Sequence, residues 1–324
     1  MTEIVSNKDA YRAWAETQLT MPIFLQPWWM DAVTAGKEWD VLLVRRNETI
    51  LAAMPYLIRK RVGLRFITMP QQTQLGGLWV NEHLELNDLL SQEVITELCK
   101  QLDNLKLAYY YQHWPLHSPL ARRMHSHGYK VRERITYRID DLHDTDAIVR
   151  RFSKNKRRQL QKAESLNLVV EENKLSQEDF YRFHRQCLSN QHKNISYTRE
   201  FFLVLERKTR RLQQSSILTV SDQEGHIHAA AFLVWDKQTM YYLIPCFEPQ
   251  YKDSGAGALL VLGALKLAQR LGRKFDFEGS MIRSVANHYR QFGSSPTLYC
   301  SVERVYKPIF RLLLWFNRMR ERRL

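Results

Sequence analysis

Largely apolar runs over 39–46 and 49–58, with the tight-turn pair Asn47-Glu48 between them, predict a β-hairpin near the start of the chain. Two short helices precede it, over 8–19 and 28–36, around a turn region at Pro22 and Pro27, with Trp28 and Trp29 as core anchors. A strand over 65–69 enters a shaped loop over 70–80, opened by Pro70, rich in side-chain amides and containing Gly76-Gly77. Helix and strand then alternate: a helix over 92–104, an aromatic strand over 108–112, a helix over 118–127 and a strand over 129–139. In the second half, helices over 180–189 and 198–208 lead to a hairpin from 216–220 and 227–235. A strand over 239–246, a long helix ending at Leu271, a strand over 274–277, another helix and a last strand over 297–304 complete the pattern. The long helix is apolar nearly all round, as expected of one buried against a sheet. This order predicts a mixed α/β fold in two halves of similar plan, an internal duplication. The expected domains are 1–143 and 144–308, with a basic amphipathic helix after them over 309–324.

Composition supports this division. A length of 324 residues suits two domains of about 150 each, and an apolar fraction of 44% is ample for two cores. A formal net charge of +14 asks for an anionic partner: nucleic acid, an anionic membrane surface or a phosphorylated substrate. Cys99, Cys187, Cys246 and Cys300 show neither CxxC nor Cys/His spacing, so they read as buried thiols of a reducing compartment. His113, His117, His125 and His127 lack a repeating spacing and nearby carboxylates, so no metal is expected. The N-terminal stretch has no signal-like apolar core and no apolar run is long enough to span a bilayer, so the expected location is the cytoplasm. The segment 309–324, apolar and then basic, reads as a docked helix or as an in-plane helix making peripheral membrane contact.

Candidate chemistry gathers between Tyr241 and Gly293. The run Ser254-Gly255-Ala256-Gly257 opens the long apolar helix, and a small-residue loop there aims unpaired N–H groups and the positive dipole end at one spot. It reads either as an anion site or as a glycine-eased helix start. Asp276 and Glu278, two apart on the expected strand, share a face. Asp276 is expected to bond the following turn, and Glu278 to act as a general base or to orient an acceptor. Tyr289 is a candidate donor to a leaving group and Arg290 a candidate holder of phosphate or carboxylate, with surface packing the alternative for both. Upstream, Arg150, Lys154, Arg158 and Lys162 step by four along an expected helix face, which by its charges alone reads first as a solvated basic face and otherwise as one whose repulsion an anion offsets.

Three motifs carry a family resemblance. Lys252-x-x-Gly255-x-Gly257 is a loose form of the pyrophosphate loop of GNAT acyltransferases. Phe275-Asp276-Phe277-x-Gly279-Ser280, leading to a helix that closes on Phe292-Gly293, resembles the C-terminal motif of the Fem-type transferases with a duplicated GNAT domain. Ser153-x-Asn155-x-Arg157-Arg158 resembles the segment that lies between their two halves. Two positions depart: Tyr289 stands where Fem proteins using aminoacyl-tRNA often carry lysine, and Glu278 replaces a common glycine.

The resemblance covers most of the chain, most strongly 148–165 and 251–293. It implies two fused GNAT-like domains that move an acyl or aminoacyl group to an amine by direct attack, without a covalent enzyme intermediate. The donor would be acyl-CoA, as co-substrate, or aminoacyl-tRNA, held by Lys252, Ser254, Gly255, Ala256 and Gly257. The anionic acceptor, an amino sugar, nucleotide sugar or cell-envelope precursor, would meet Asn155, Arg157 and Arg158, with Lys162, Ser280 and Arg290. Gln72, Thr73 and Gln74 of the shaped loop are further acceptor candidates, and Glu278 and Tyr289 are the candidate catalytic pair. From a different class, the alternative is a non-catalytic RNA- or membrane-surface-binding protein on the same fold.

Overall fold

The structure, a computed structural model, describes residues 6–34, 39–116, 118–279 and 281–311. The expected amphipathic helix over 309–324 lies, from 312 onward, outside the described residues. The chain divides into two compact units: the described residues up to Arg134 together with those from Leu298, and Ile135–Thr297. This differs from a single cut at 143/144, because the chain from Leu298 onward belongs with the first unit.

The first unit runs α1 (Asn7–Glu16), α2 (Pro27–Val33), β1 (Trp39–Arg46), β2 (Thr49–Arg61), β3 (Leu64–Ile67), β4 (Trp79–Val80), α3 (Asp88–Asn104), β5 (Tyr109–Trp114), α4 (Pro119–Arg123) and β6 (Lys130–Ile139), the last crossing into the second unit. Its sheet has the order β1-β2-β3-β5, antiparallel except for the parallel pair β3–β5, with β4 also against β2. Helix α3 is capped by Asn87, which accepts from the Leu90 N–H, and buries Val94, Ile95, Leu98 and Leu102 in the core with Trp114 and Tyr110. Each such side chain contributes about 1.5–3 kcal/mol. Gly77, at φ +69°, sits where a Cβ would lie 2.4 Å from the Trp114 ring, which fixes the shaped loop against β5.

The second unit adds α5 (Thr145–Arg151), α6 (Lys154–Ser165), β7 (Val169–Glu172), α7 (Gln177–Ser189), α8 (Arg199–Arg211), β8 (Ser215–Ser221), β9 (Ile227–Trp235), β10 (Thr239–Phe247), α9 (Ala256–Arg270), β11 (Lys274–Asp276) and α10 (Arg283–Arg290). The chain then enters β12 (Ser295–Val305), whose residues from Cys300 pair antiparallel with β5 inside the first unit. The second sheet has the order β6-β11-β10-β9-β8-β7, with β10–β11 its parallel pair. That pair needs a crossover, and α9 supplies it, burying Leu260, Val261, Ala264, Leu265 and Ala268. Gly263 allows the approach to the sheet, since a Cβ there would meet Val170 at 2.8 Å.

Two local details depart from the sequence-based expectation. The short, acidic strand β7 pairs with β8 although Glu171 and Glu172 give it little strand signal. The expected continuous basic helix is broken: Phe152 is extended and buried, and Ser153 starts α6 by accepting the Lys156 N–H. Arg150 therefore does not share a helix face with Lys154, Arg158 and Lys162. Among the described residues no helix is long and apolar enough to cross a membrane.

Candidate active site of the second unit

The glycine loop ends at the start of α9, where Gly255 is left-handed at φ +82°. A Cβ on Gly255 would lie 2.0 Å from the Gln159 carbonyl oxygen and 3.0 Å from the Ala163 nitrogen. Helix α6 therefore rests directly on the loop, and only glycine permits that contact. The Ser254 hydroxyl is buried and accepts the Ala256 N–H, while the first-turn N–H of Gly257 has no acceptor within its own helix. Lys252 is exposed beside the loop. Positive dipole end, small residues and a nearby cation form a site suited to a pyrophosphate.

Beside this loop, at the carboxyl ends of the parallel strands, the sheet opens. β10 and β11 pair only from Thr239↔Lys274 to Tyr241↔Asp276. On its other edge β10 shifts register against β9 between Tyr241 and Ile244, so Tyr242 and Leu243 face the single residue Leu233. A bulge of this kind re-aims side chains and interrupts the ladder. The hydroxyl of Tyr242 is buried without a hydrogen-bond partner, and burial pushes its pKa well above the usual phenol value.

β11 stops at Asp276, and the next turn is tightly built. Asp276 is buried, accepts from Thr136 Oγ1 and, at 2.7 Å, from the Glu278 N–H. Glu278 and Gly279 both take left-handed conformations, at φ +62° and +64°, and a Cβ on Gly279 would meet the Ile135 carbonyl at 2.4 Å. The expectation that Asp276 and Glu278 share a strand face fails for this reason: Glu278 lies past the strand end and is not extended. Its Oε1 is fully buried with no hydrogen-bond partner. Burial, then the neighbouring Asp276, raise its pKa well above the usual carboxyl value. A glutamate held left-handed stores strain, which tends to collect at functional sites.

Tyr289 of α10 stacks on Phe277 at 4.7 Å between ring centroids. Its pKa is pushed up to about 12, first by burial and then by Glu278 and Asp276. Tyr242 in turn feels Tyr289. The catalytic candidates Glu278 and Tyr289 are thus electrostatic neighbours, joined by a third group, Tyr242, for which the sequence pattern signals only a strand.

Helix α6 turns a different cation inward from those expected. Asn155, Arg157, Arg158 and Lys162 are exposed. Arg157 folds back, donating to the Arg150 and Phe152 carbonyl oxygens at 3.0 and 2.5 Å, and so closes the α5–α6 junction. Lys156 is only 4% exposed. Its Nζ donates to Gln159 Oε1 at 3.0 Å and to His288 Nδ1 at 3.4 Å and lies 4.6 Å from the Phe292 ring centroid. Among the described residues it has no carboxylate partner. Burial lowers its pKa to about 8, and burial with the adjacent ammonium lowers that of His288 to about 4. The signal was available: Lys156 falls one turn before Leu160 and two before Ala163, on the apolar stripe of α6.

Other candidates lie at the edges of this cluster or away from it. Arg290 is exposed, with its guanidinium 5.3 Å from the Tyr137 ring centroid and a bond to Asn287. Ser280 lies outside the described residues. In the first unit the Thr73 hydroxyl accepts from the Trp29 indole, Gln74 is buried with its carbonyl on His113 Nδ1, and Gln72 is half-exposed at φ +50°. Cys99, Cys187 and Cys246 are buried free thiols and Cys300 is half-buried. At the exposed β8–β9 turn, Asp222, Glu224 and His226 bring ligand-type atoms within 4.8 Å of one another. Asp222 there bonds His226 and His228, which closes the turn.

Residues 148–289 match the family described as the acetyltransferase (GNAT) domain. The second unit therefore matches a GNAT acetyltransferase domain over these residues, and this match supports an acyltransferase. Solved structures that resemble most of the chain include three of note. FemX is 11% identical, with a TM-score of 0.71 over 96% of this chain and 99% of that one. L-PGS from Bacillus licheniformis is 11% identical, with a TM-score of 0.54 over 99% of both chains. A tandem GNAT protein from the clavulanic acid biosynthesis pathway is 11% identical, with a TM-score of 0.51 over 84% of both. At such identities the likeness is one of fold, and the fold is the mixed α/β architecture of tandem GNAT proteins. No curated protein matches the chain.

Proposed function

We propose that the protein transfers an acyl or aminoacyl group from acyl-CoA or aminoacyl-tRNA to an amine of an amino sugar, nucleotide sugar or cell-envelope precursor, on the cytoplasmic side. The observation that carries this reading is the Glu278 carboxyl, whose Oε1 is buried without a hydrogen-bond partner, near Tyr289, where β10 and β11 part next to the glycine loop. The loop N–H groups and Lys252 hold the donor's phosphates. The acyl carbon enters the opening between β10 and β11, where β10 runs on past the last paired residues, Tyr241 and Asp276, and its backbone N–H groups on that edge receive the developing oxyanion. Glu278, with its raised pKa, takes the proton from the incoming ammonium, and the lone pair so freed on nitrogen then attacks the acyl carbon. Tyr289 or Tyr242 returns a proton to the leaving group. Positioning supplies much of the rate, and no covalent enzyme intermediate is needed.

Asn155, Arg158, Ser280 and Arg290 remain the acceptor candidates, with Lys156 added to them; Arg157 acts on α6 through the junction it closes. Support for an aminoacyl donor comes from the fold shared with FemX and with the C-terminal domain of a putative lysylphosphatidylglycerol synthetase from Agrobacterium fabrum. Tyr289, in place of lysine, favours acyl-CoA. A thermal-shift screen of CoA, acyl-CoAs, charged tRNA and nucleotide sugars tests the reading. A donor present at 100 times its dissociation constant stabilises by about 2.7 kcal/mol. No response to any of them refutes a transferase role.

A further inference from the structure

The first unit holds an open groove of about 1250 Å³ between the N-terminal end of α1, the start of β1 and the β2–β3 hairpin. Five cations line it: Lys8, Arg59, Lys60, Arg61 and Arg65. Among the described residues none of the five makes an ion pair, whereas Arg12, Arg46 and Arg123 of the same unit each hold a carboxylate. The acid in the groove, Asp40, accepts from its neighbour's N–H at 2.8 Å and from the Tyr56 hydroxyl at 3.4 Å. Lys60 and Arg65 lie directly opposite each other in the hairpin, a like-charge pair that destabilises a sheet unless something anionic covers it. Nε of Arg59 and Nε of Arg65 are buried with no hydrogen-bond partner, although buried donors are nearly always satisfied. Trp39, Tyr56 and Phe66 add aromatic surface among these cations.

We infer that this groove binds a phosphate-bearing ligand with at least two anionic groups. The Arg65 guanidinium fork matches phosphate oxygens in pairs, with Lys60 on the same hairpin face, while Arg59 and Arg61 reach the groove from the other face and Arg59 also donates to the Met69 carbonyl at 3.4 Å. Carboxylate ligands have the same sign, but five donors with almost no acceptor among them suit the higher charge of phosphate. The ligand's phosphate can come from a soluble compound or from a lipid headgroup. Val62, 86% exposed at the hairpin tip, is placed to touch a bilayer in the second case. The inference is independent of the transferase reading, since it involves neither the glycine loop nor Glu278.

The test uses the full chain with two probes: tripolyphosphate by calorimetry, and vesicles of phosphatidylglycerol and phosphatidylcholine, against phosphatidylcholine alone, by co-sedimentation. The variant Arg59→Gln/Arg65→Gln is compared with Arg45→Gln/Lys130→Gln, which removes the same charge from exposed positions outside the groove. Wild type should bind at least one probe, and the groove variant should bind it at least about 10-fold more weakly while the control stays within about 2-fold. Tripolyphosphate alone assigns a soluble ligand, and anionic vesicles alone assign a headgroup. Equal losses in both variants, or no binding of either probe by wild type, overturns the inference. If the groove variant fails to fold by circular dichroism, the exposed change Lys60→Gln takes its place under the same criteria.

Discussion

Replacing Gly255 with alanine should push α6 off the glycine loop. A non-glycine residue at φ +82° carries a conformational cost of about 1–2 kcal/mol. The new Cβ would sit 2.0 Å from the Gln159 carbonyl oxygen, inside the 3.0 Å that real Cβ contacts keep, so the helix must retreat by at least 3.0 − 2.0 = 1.0 Å. The obstacle is helix backbone, so no rotamer relieves it. Overpacking of this kind costs about a further 1–3 kcal/mol, for a total of about 2–5 kcal/mol. Gly272→Ala is the control, because Gly272 is left-handed at φ +65° but a Cβ there meets nothing within 4 Å. It should lose only the conformational part. Urea unfolding monitored by circular dichroism measures both, and calorimetry measures donor binding. Equal stability losses in the two variants would refute the claim that α6 is seated on the loop.

Glu278→Gln should lower kcat by about 100-fold or more while KM changes little, because it removes a base and keeps the shape; full activity at neutral pH would remove Glu278 from the chemistry. Tyr289→Phe should fold normally, and if its hydroxyl serves the leaving group, kcat falls by about 10-fold or more in steady-state assays. Lys156→Met should raise stability at pH 7 by on the order of 1–2 kcal/mol, allowing for the solvent the ammonium still reaches. The sign comes from a folded pKa of about 8 against 10.5 unfolded: the folded state holds the proton less tightly, so wild-type stability rises as pH climbs from about 8 towards 10.5. The gap between the variant and wild type should therefore be widest below pH 8 and close above it, as urea unfolding across that range would measure.

Much of this architecture was written in local patterns. Hairpin turns, runs of branched and aromatic residues and the apolar circumference of α9 depend on neighbours a few residues away, so they survive without tertiary information. The glycine loop was legible for the same reason, since a left-handed helix start selects glycine at one position. Even the break before α6 had a local sign, the Ser153 cap.

The chemistry of individual side chains was decided elsewhere. Lys156 became the inward cation because α6 is rotated to put Gln159 and Ala163 on Gly255, a phase that the run of arginines obscures. Glu278 came to bury its Oε1 without a partner because β11 ends at Asp276 and the chain turns left-handed, which no alternation rule anticipates. Whether a cation is paired or waiting for a ligand likewise depends on which distant carboxylates the fold brings near. Arg46 meets Glu93, and Arg65 meets none among the described residues. Periodicity and turn chemistry act over a few residues, whereas burial and charge pairing are set by what the folded chain packs alongside, and that is why the structure alone assigned them.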